Sequence, residues 1–192
     1  MTQKRLTRKF FTRDTITVAQ ELLGKLLVSN IDGYRASGII VETEAYVEGD
    51  EAAHTSRGKT KANEAAFGEP GRTYIHTIHG KDCMDIVTEK EGKPGSVLIR
   101  ALEPVEGIEI MQLRRSKKKL KDLLSGPAKL CQALAITKKS HYTLDLCNSN
   151  SEIYLTQYLE EVSIGTTNRI GISKATDKQY RFILEGNEYL SR

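Results

Sequence analysis

The segment IIVETEAY, residues 39–46, places two carboxylates and a phenol within an otherwise apolar stretch. Side chains on a strand alternate between faces, so Ile39, Val41, Thr43 and Ala45 share one side while Ile40, Glu42, Glu44 and Tyr46 share the other. One side reads as core and the other as chemistry. A carboxylate at a strand end beside an aromatic is partly desolvated and suited to general-base work, which makes Glu44 the first candidate. The same residue type serves equally in a surface salt bridge, and Tyr46 reads either as a stacking plane or as an amphipathic core tyrosine.

Imidazole is the commonest metal ligand, so His76 and His79 invite a metal reading. Their odd spacing on an extended strand points them to opposite faces unless a turn intervenes, and a zinc site is not expected. Tyr74 and His76 do share a face and suit a wall of flat side chains. Arg100 closes the apolar run VLIR as a strand-ending arginine, fit to orient an anion or a water, or to pair with a carboxylate such as Glu103. The start of SGPAKLCQAL offers free helix N–H groups with Lys129 in the first turn, a candidate phosphate site.

The run RRSKKKLK at 114–121 holds six positive charges, including Arg114, Arg115, Lys117, Lys118 and Lys119, against a net charge of +4 for the whole chain. The basicity is therefore local. Such a run attracts a polyanion such as a nucleic-acid backbone, or is a solvated loop.

Several elements must position these groups. Asp14 reads as the N-cap of a helix with Ile16, Val18, Ala19, Leu22 and Leu23 as its apolar stripe, closed by Gly24. KLLVSN, the turn IDGY and SGIIVETEAY read as a hairpin. Residues 47–72 lack a strong period and read as a long excursion with a short helix around 63–67, a length of loop that tends to carry function. TYIHTIHGKDCMDIVT reads as two short strands turning around residues 79–82, and SVLIRALEP as a buried strand. LLSGPAKLCQALAI starts a helix, and SEIYLT, GTTNRIGI and YRFILEG read as strands among Gly-bearing turns.

With 192 residues, 39% hydrophobic and 28% charged, the chain suits one ordinary globular domain, and patterning alone gives an α+β class. No apolar run suits a signal peptide or a membrane span, so a cytoplasmic protein is expected. Cys83, Cys131 and Cys147 are widely spaced, without a CxxC pair, and are expected as reduced thiols.

Taken in order, IIVETEAY, DEAAH, PGRTYIHTIHG, VLIRALEPVEG, SGPAKLCQAL, RIGI and YRF closely resemble the mammalian-type 3-methyladenine (alkyladenine) DNA glycosylase family, from about Ala19 to the C-terminus. That resemblance implies a single domain over 1–192, a curved and mostly antiparallel β-sheet surrounded by helices, and a protruding β-hairpin near residues 74–88 that inserts into DNA. It implies base excision of 3-methyladenine, 7-methylguanine and hypoxanthine by base flipping and direct displacement by water, without lyase chemistry. Glu44 would align and deprotonate the water, Arg100 would help to hold it, and the backbone carbonyl of Ile170 would be its third contact.

Tyr46, His54 and His76 match the residues that sandwich the flipped base, and His79 the tip that wedges into the minor groove. Three departures stand out: His76 and His79 replace tyrosines, the hairpin is shorter and more charged, and Asp85 stands where relatives carry asparagine near the purine amino group. Contact of the basic run with DNA phosphates is expected. So are no metal or organic cofactor, a monomer, double-stranded DNA with damaged purines as partner, and a nucleoid association if the protein is bacterial. The alternatives are a non-catalytic damaged-DNA-binding module and a nucleoside or small-molecule hydrolase.

Overall fold

The structure is a computed structural model that describes residues 4–191; the first three residues of the basic N-terminal stretch and the last residue of the expected domain lie outside them. Helices α1 (Arg8–Phe11) and α2 (Thr15–Glu21) come first, and the Asp14 carboxylate caps α2 by accepting from the Thr17 amide at 2.9 Å. Strands β1 (Leu26–Ile31) and β2 (Tyr34–Tyr46) form the expected hairpin. Asp32 and Gly33 both take positive φ in its turn, as a two-residue primed turn requires.

β2 organises the whole sheet. One edge pairs with β5 (Ser96–Glu106) from Ser37 to Tyr46; the other pairs first with β1 and then, at Glu42–Glu44, with β8 (Arg181–Leu184). Strands β3 (Thr73–Ile78) and β4 (Lys81–Val87) extend the sheet beyond β5. β6 (Ile153–Thr156) lies outside β1, and β7 (Ile164–Thr167) outside β8. Every pairing is antiparallel, the sheet is curled, and the class is α+β as expected.

Helices cover it. α2 packs on β2 and β5, and Thr43 donates to the Ala19 carbonyl at 2.8 Å across that contact. α5 (Pro127–Ala133) packs on β4 and β5, flanked by α3 (Ile108–Arg115) and α4 (Lys121–Leu124); α6 (Lys138–His141) packs on β3. Phe11, Leu22, Leu27, Ile40, Met84, Ile99 and Phe182 are among the largest side chains sealed in the core. Cys83 and Cys131 are buried thiols, and Cys147 is half-buried. No helix among the described residues is long and apolar enough to cross a membrane.

One reading of the strands needs correction. The strand does not end at Arg100: β5 continues to Glu106, and its residues 101–106 pair with Ser37–Glu42 of β2. The polar face of β2 is closed, because Glu42 and Glu44 are both 0% exposed. β5, β8 and the C-terminal segment around Ser191 close over that face.

Candidate active site

The β2–β5 ladder is irregular where it matters. Ile40 opposes Leu102, Glu42 opposes Ala101 and Thr43 opposes Ile99, so Val41 is an extra residue on one strand and Arg100 on the other. Bulges bend a strand and re-aim its side chains. Here Arg100 reaches both carboxylates: Nε donates to Glu42 Oε1 at 3.1 Å and a terminal nitrogen donates to Glu44 Oε2 at 3.3 Å.

Glu44 has two further donors. The Tyr46 hydroxyl donates to its Oε2 at 2.9 Å and the Ile170 amide to its Oε1 at 2.8 Å. Burial pushes the Glu44 pKa up, and the Arg100 charge, the Ile170 amide and the Tyr46 hydroxyl pull against it. Burial, followed by the Glu44 charge, raises the Tyr46 pKa, so its phenol keeps the proton that it donates. A carboxylate offers about four acceptor sites. Three are filled at Glu44, which leaves room for one more donor such as a water.

Ile170 is held by its neighbour. Arg169 is buried and forks onto Asp50, with one contact at 3.0 Å to Oδ1 and a second to Oδ2, and it donates to the Ala45 carbonyl at 2.9 Å. Its guanidinium also sits 4.7 Å from the centre of the Tyr46 ring and 5.4 Å from that of Tyr180. This clamp fixes the chain on both sides of the carboxylate.

Tyr46, Arg100 and Ile170 line a cavity of about 480 Å³, within the range of roughly 300–1,000 Å³ typical of small-ligand pockets. Its far wall holds His54, Tyr74, His76 and Asp85. The rings of His54 and His76 meet edge to face at 4.5 Å, and those of Tyr74 and His76 lie 5.4 Å apart. His54 Nδ1 shares a hydrogen bond with the Tyr74 hydroxyl at 3.1 Å. Loss of water around the ring lowers the His54 pKa, with the charge of His76 adding to it.

The loop that carries His54 is pinned by buried Asn63, whose amide donates to the His54 and Gly58 carbonyls at 2.9 and 3.0 Å. His76 Nε2 lies 3.0 Å from Asp85 Oδ1, and the Ser96 hydroxyl donates to Asp85 Oδ2 at 2.7 Å.

At the mouth, His79 and Gly80 form the β3–β4 turn, both with positive φ, and Thr77 through Lys81 are exposed. Ile78 and His79 line the cavity from that tip. A left-handed histidine costs about 1–2 kcal/mol, which the pairing of six residues on each strand offsets.

The basic run is divided. Arg114 donates to the Ala133 and Ile31 carbonyls, and Arg115 to Gln132 and the Asp122 carbonyl, so both brace helices rather than stand free. Arg114 also lies by the Tyr34 ring, at the opposite end of β2 from Glu44. Lys117, Lys118 and Lys119 are exposed, while Lys129 folds back onto Ser125 at 3.3 Å and does not line the cavity. Sequence reasoning gave no role to Asp50, Asn63, Ser96, Arg169 or Glu42. Asp50 and Arg169 open the quoted motifs DEAAH and RIGI, and Glu42 shares a face with Glu44; Asn63 and Ser96 carried no signal.

A curled antiparallel sheet thus buries a bulge-aimed glutamate and arginine behind a cavity walled in part by flat side chains. Residues 9–188 match the family described as methylpurine-DNA glycosylase, and the chain belongs to that family. Proteins of Carboxydothermus hydrogenoformans and Prosthecochloris aestuarii, each named "Putative 3-methyladenine DNA glycosylase", are 45% and 44% identical to it over 97% and 98% of the chain. The matches cover 98% and 91% of those relatives, and one from Methanoculleus marisnigri, with the same name, is 44% identical over 97% of the chain and 98% of its own length. The protein is a DNA glycosylase, a hydrolase of DNA repair.

Proposed function

We propose that the protein excises alkylated and deaminated purines, among them 3-methyladenine, 7-methylguanine and hypoxanthine, after flipping them out of double-stranded DNA into this cavity. The observation that carries the reading is Glu44, wholly buried yet one hydrogen bond short of saturation, beside Tyr46, Arg100 and Ile170 of the cavity lining. A base inside a duplex is out of reach, so extrusion comes first. The exposed tip at Ile78 and His79 suits the space that the base vacates, and Tyr46, His54 and His76 suit its two faces.

Glu44 takes a proton from a water that Arg100 and the Ile170 carbonyl help to place, and the water oxygen attacks C1′ as the purine leaves. The Ile170 amide holds the carboxylate while the carbonyl of the same residue is left for the water. Lys117, Lys118 and Lys119 are the free part of the basic run and would meet phosphates. No cofactor takes part in this scheme, and one protomer suffices.

The test is incubation with two labelled duplexes, one methylated and one carrying a single hypoxanthine, and with the corresponding free nucleosides. Alkali-labile sites in the duplexes are expected, with no turnover of free nucleosides and no borohydride-trapped adduct. Turnover of free nucleosides alone would replace this reading with a small-molecule hydrolase, and duplex binding without base release with a damaged-DNA-binding module.

A further inference from the structure

Toward its tip the β3–β4 hairpin leaves the sheet. β5 pairs with β4 only at Asp85–Val87, so Lys81–Met84 continue as one side of a two-stranded ribbon with β3. Cys83 and Met84 are still buried, but Thr77 through Lys81 are exposed. A ribbon of two strands is marginal by itself and needs something to pack against.

Asp82 supplies a support at that point. It is half-buried and faces Thr77 across the two strands, three residues from His79. Its Oδ1 accepts from the Thr77 hydroxyl at 2.8 Å, and its Oδ2 accepts from the Lys138 backbone amide at 2.9 Å. Lys138 is the first residue of α6, which is fastened to the other end of β3: the Thr73 hydroxyl donates to the His141 carbonyl and accepts from the Leu144 amide at 2.9 Å. The buried His141 ring accepts from the Thr137 amide, also at 2.9 Å, and closes the helical turn. α6 therefore braces the ribbon from Thr73 at its base to Asp82 near its tip.

The charge of Asp82 is unfavourable on a tip that meets DNA, because a carboxylate there repels phosphates. The same charge strengthens the two hydrogen bonds that Asp82 accepts. A wedge works against the cost of unstacking and unpairing a base, and a tip that yields under that load cannot extrude it.

We propose that Asp82 is a positioning residue for base extrusion, latching the β3–β4 ribbon to α6 so that Ile78 and His79 keep their place as the base swings out. This deepens the glycosylase reading and rests on it. Asp82 does not line the cavity, and the chemistry at Glu44 proceeds without it.

Two variants cut the latch from opposite sides. Asp82→Ala removes the acceptor. Lys138→Pro removes the donor at a position that suits proline, the first of a helix, and Thr137 before it already has the extended backbone that a following proline requires, φ −132° and ψ 150°. Single-turnover hypoxanthine release at saturating protein is measured on two duplexes, one with the lesion paired to cytosine and one with it opposite an abasic site, where no pair has to be broken.

Each single variant is expected to slow release from the paired site about tenfold more than from the unpaired one, and the double variant no further than either single. Half-saturation by Asp82→Ala should need no more protein than by the wild type, because a charge that repels phosphates is gone. If Lys138→Pro does not fold, the ratio between the two duplexes in Asp82→Ala decides.

Equal slowing at both sites, release at the wild-type rate, or additive losses in the double variant would overturn the proposal and leave the contact to folding. So would a loss confined to weaker binding. Wild-type release from only one of the two duplexes would overturn it while sparing the glycosylase activity, and release from neither would bring down both.

Discussion

Glu42 and Glu44 stand two residues apart on one strand, both fully buried and both in contact with Arg100, yet their surroundings differ by one hydrogen bond. Glu42 accepts from Arg100 Nε at 3.1 Å, from Arg181 Nε at 2.7 Å, from the Ser191 hydroxyl at 2.8 Å and from the Ser191 amide, which fills its four acceptor sites. Glu44 accepts from three donors. The saturated carboxylate ties β2, β5, β8 and the C-terminal segment together; the unsaturated one retains a place for the reacting water. Burial alone does not make a base. Burial with one acceptor site left over does.

The largest effect should come from disturbing the saturated partner. Glu42→Gln leaves two arginines short of their counter-charge, and breaking a buried pair of this kind costs roughly 3–5 kcal/mol. Urea unfolding should show a lower midpoint, and a midpoint within experimental scatter of the wild type would remove Glu42 from its anchoring role.

Next in size is the clamp on Ile170. Arg169→Lys keeps the charge but loses the two-pronged grip on Asp50, and base release at saturating protein should fall about tenfold as the Ile170 amide drifts from Glu44. Release at the wild-type rate would mean that the clamp serves folding only.

The acidity of Glu44 gives a subtler handle. Its pKa is raised above the ordinary 4.5 by burial, and only the ionised form accepts the proton of water, so release should decline with falling pH at a point above 4.5. Tyr46→Phe removes a hydrogen bond that favours the ionised form, and should shift that decline to higher pH. A shift to lower pH would contradict the assignment.

Smallest is the basic run. Changing Lys117, Lys118 and Lys119 to alanine should reduce the slope of log affinity against log salt by about 0.9 for each phosphate that is no longer neutralised. An unchanged slope would move DNA binding entirely to other surfaces.

What the sequence disclosed follows from the range of the interactions. The Asp14 cap and the Asp32–Gly33 turn are local devices, and each is found in the fold; the strand at IIVETEAY is found too, but a bulge at Val41 interrupts its period and both of its faces are buried. The wall of Tyr74 and His76 follows from strand alternation alone. The Asp50–Arg169 clamp joins residues 119 apart, and Ser96 meets Asp85 only because β5 lies beside β4, so no spacing announces either. The bulge at Arg100 is equally hidden, because an extra residue is defined by its partner strand. The basic run misleads for the opposite reason: charge is visible in a sequence, whereas carbonyls that claim Arg114 and Arg115 are not.

The most direct test of the account is single-turnover base release by Glu44→Gln on a methylated duplex, with folding and duplex binding checked on the same preparation. A folded, duplex-binding variant whose release is at least about a hundredfold slower than the wild type is the expected result. Release within a few-fold of the wild type would show that the unsaturated carboxylate is not the base, and the contrast with Glu42 would have no catalytic meaning.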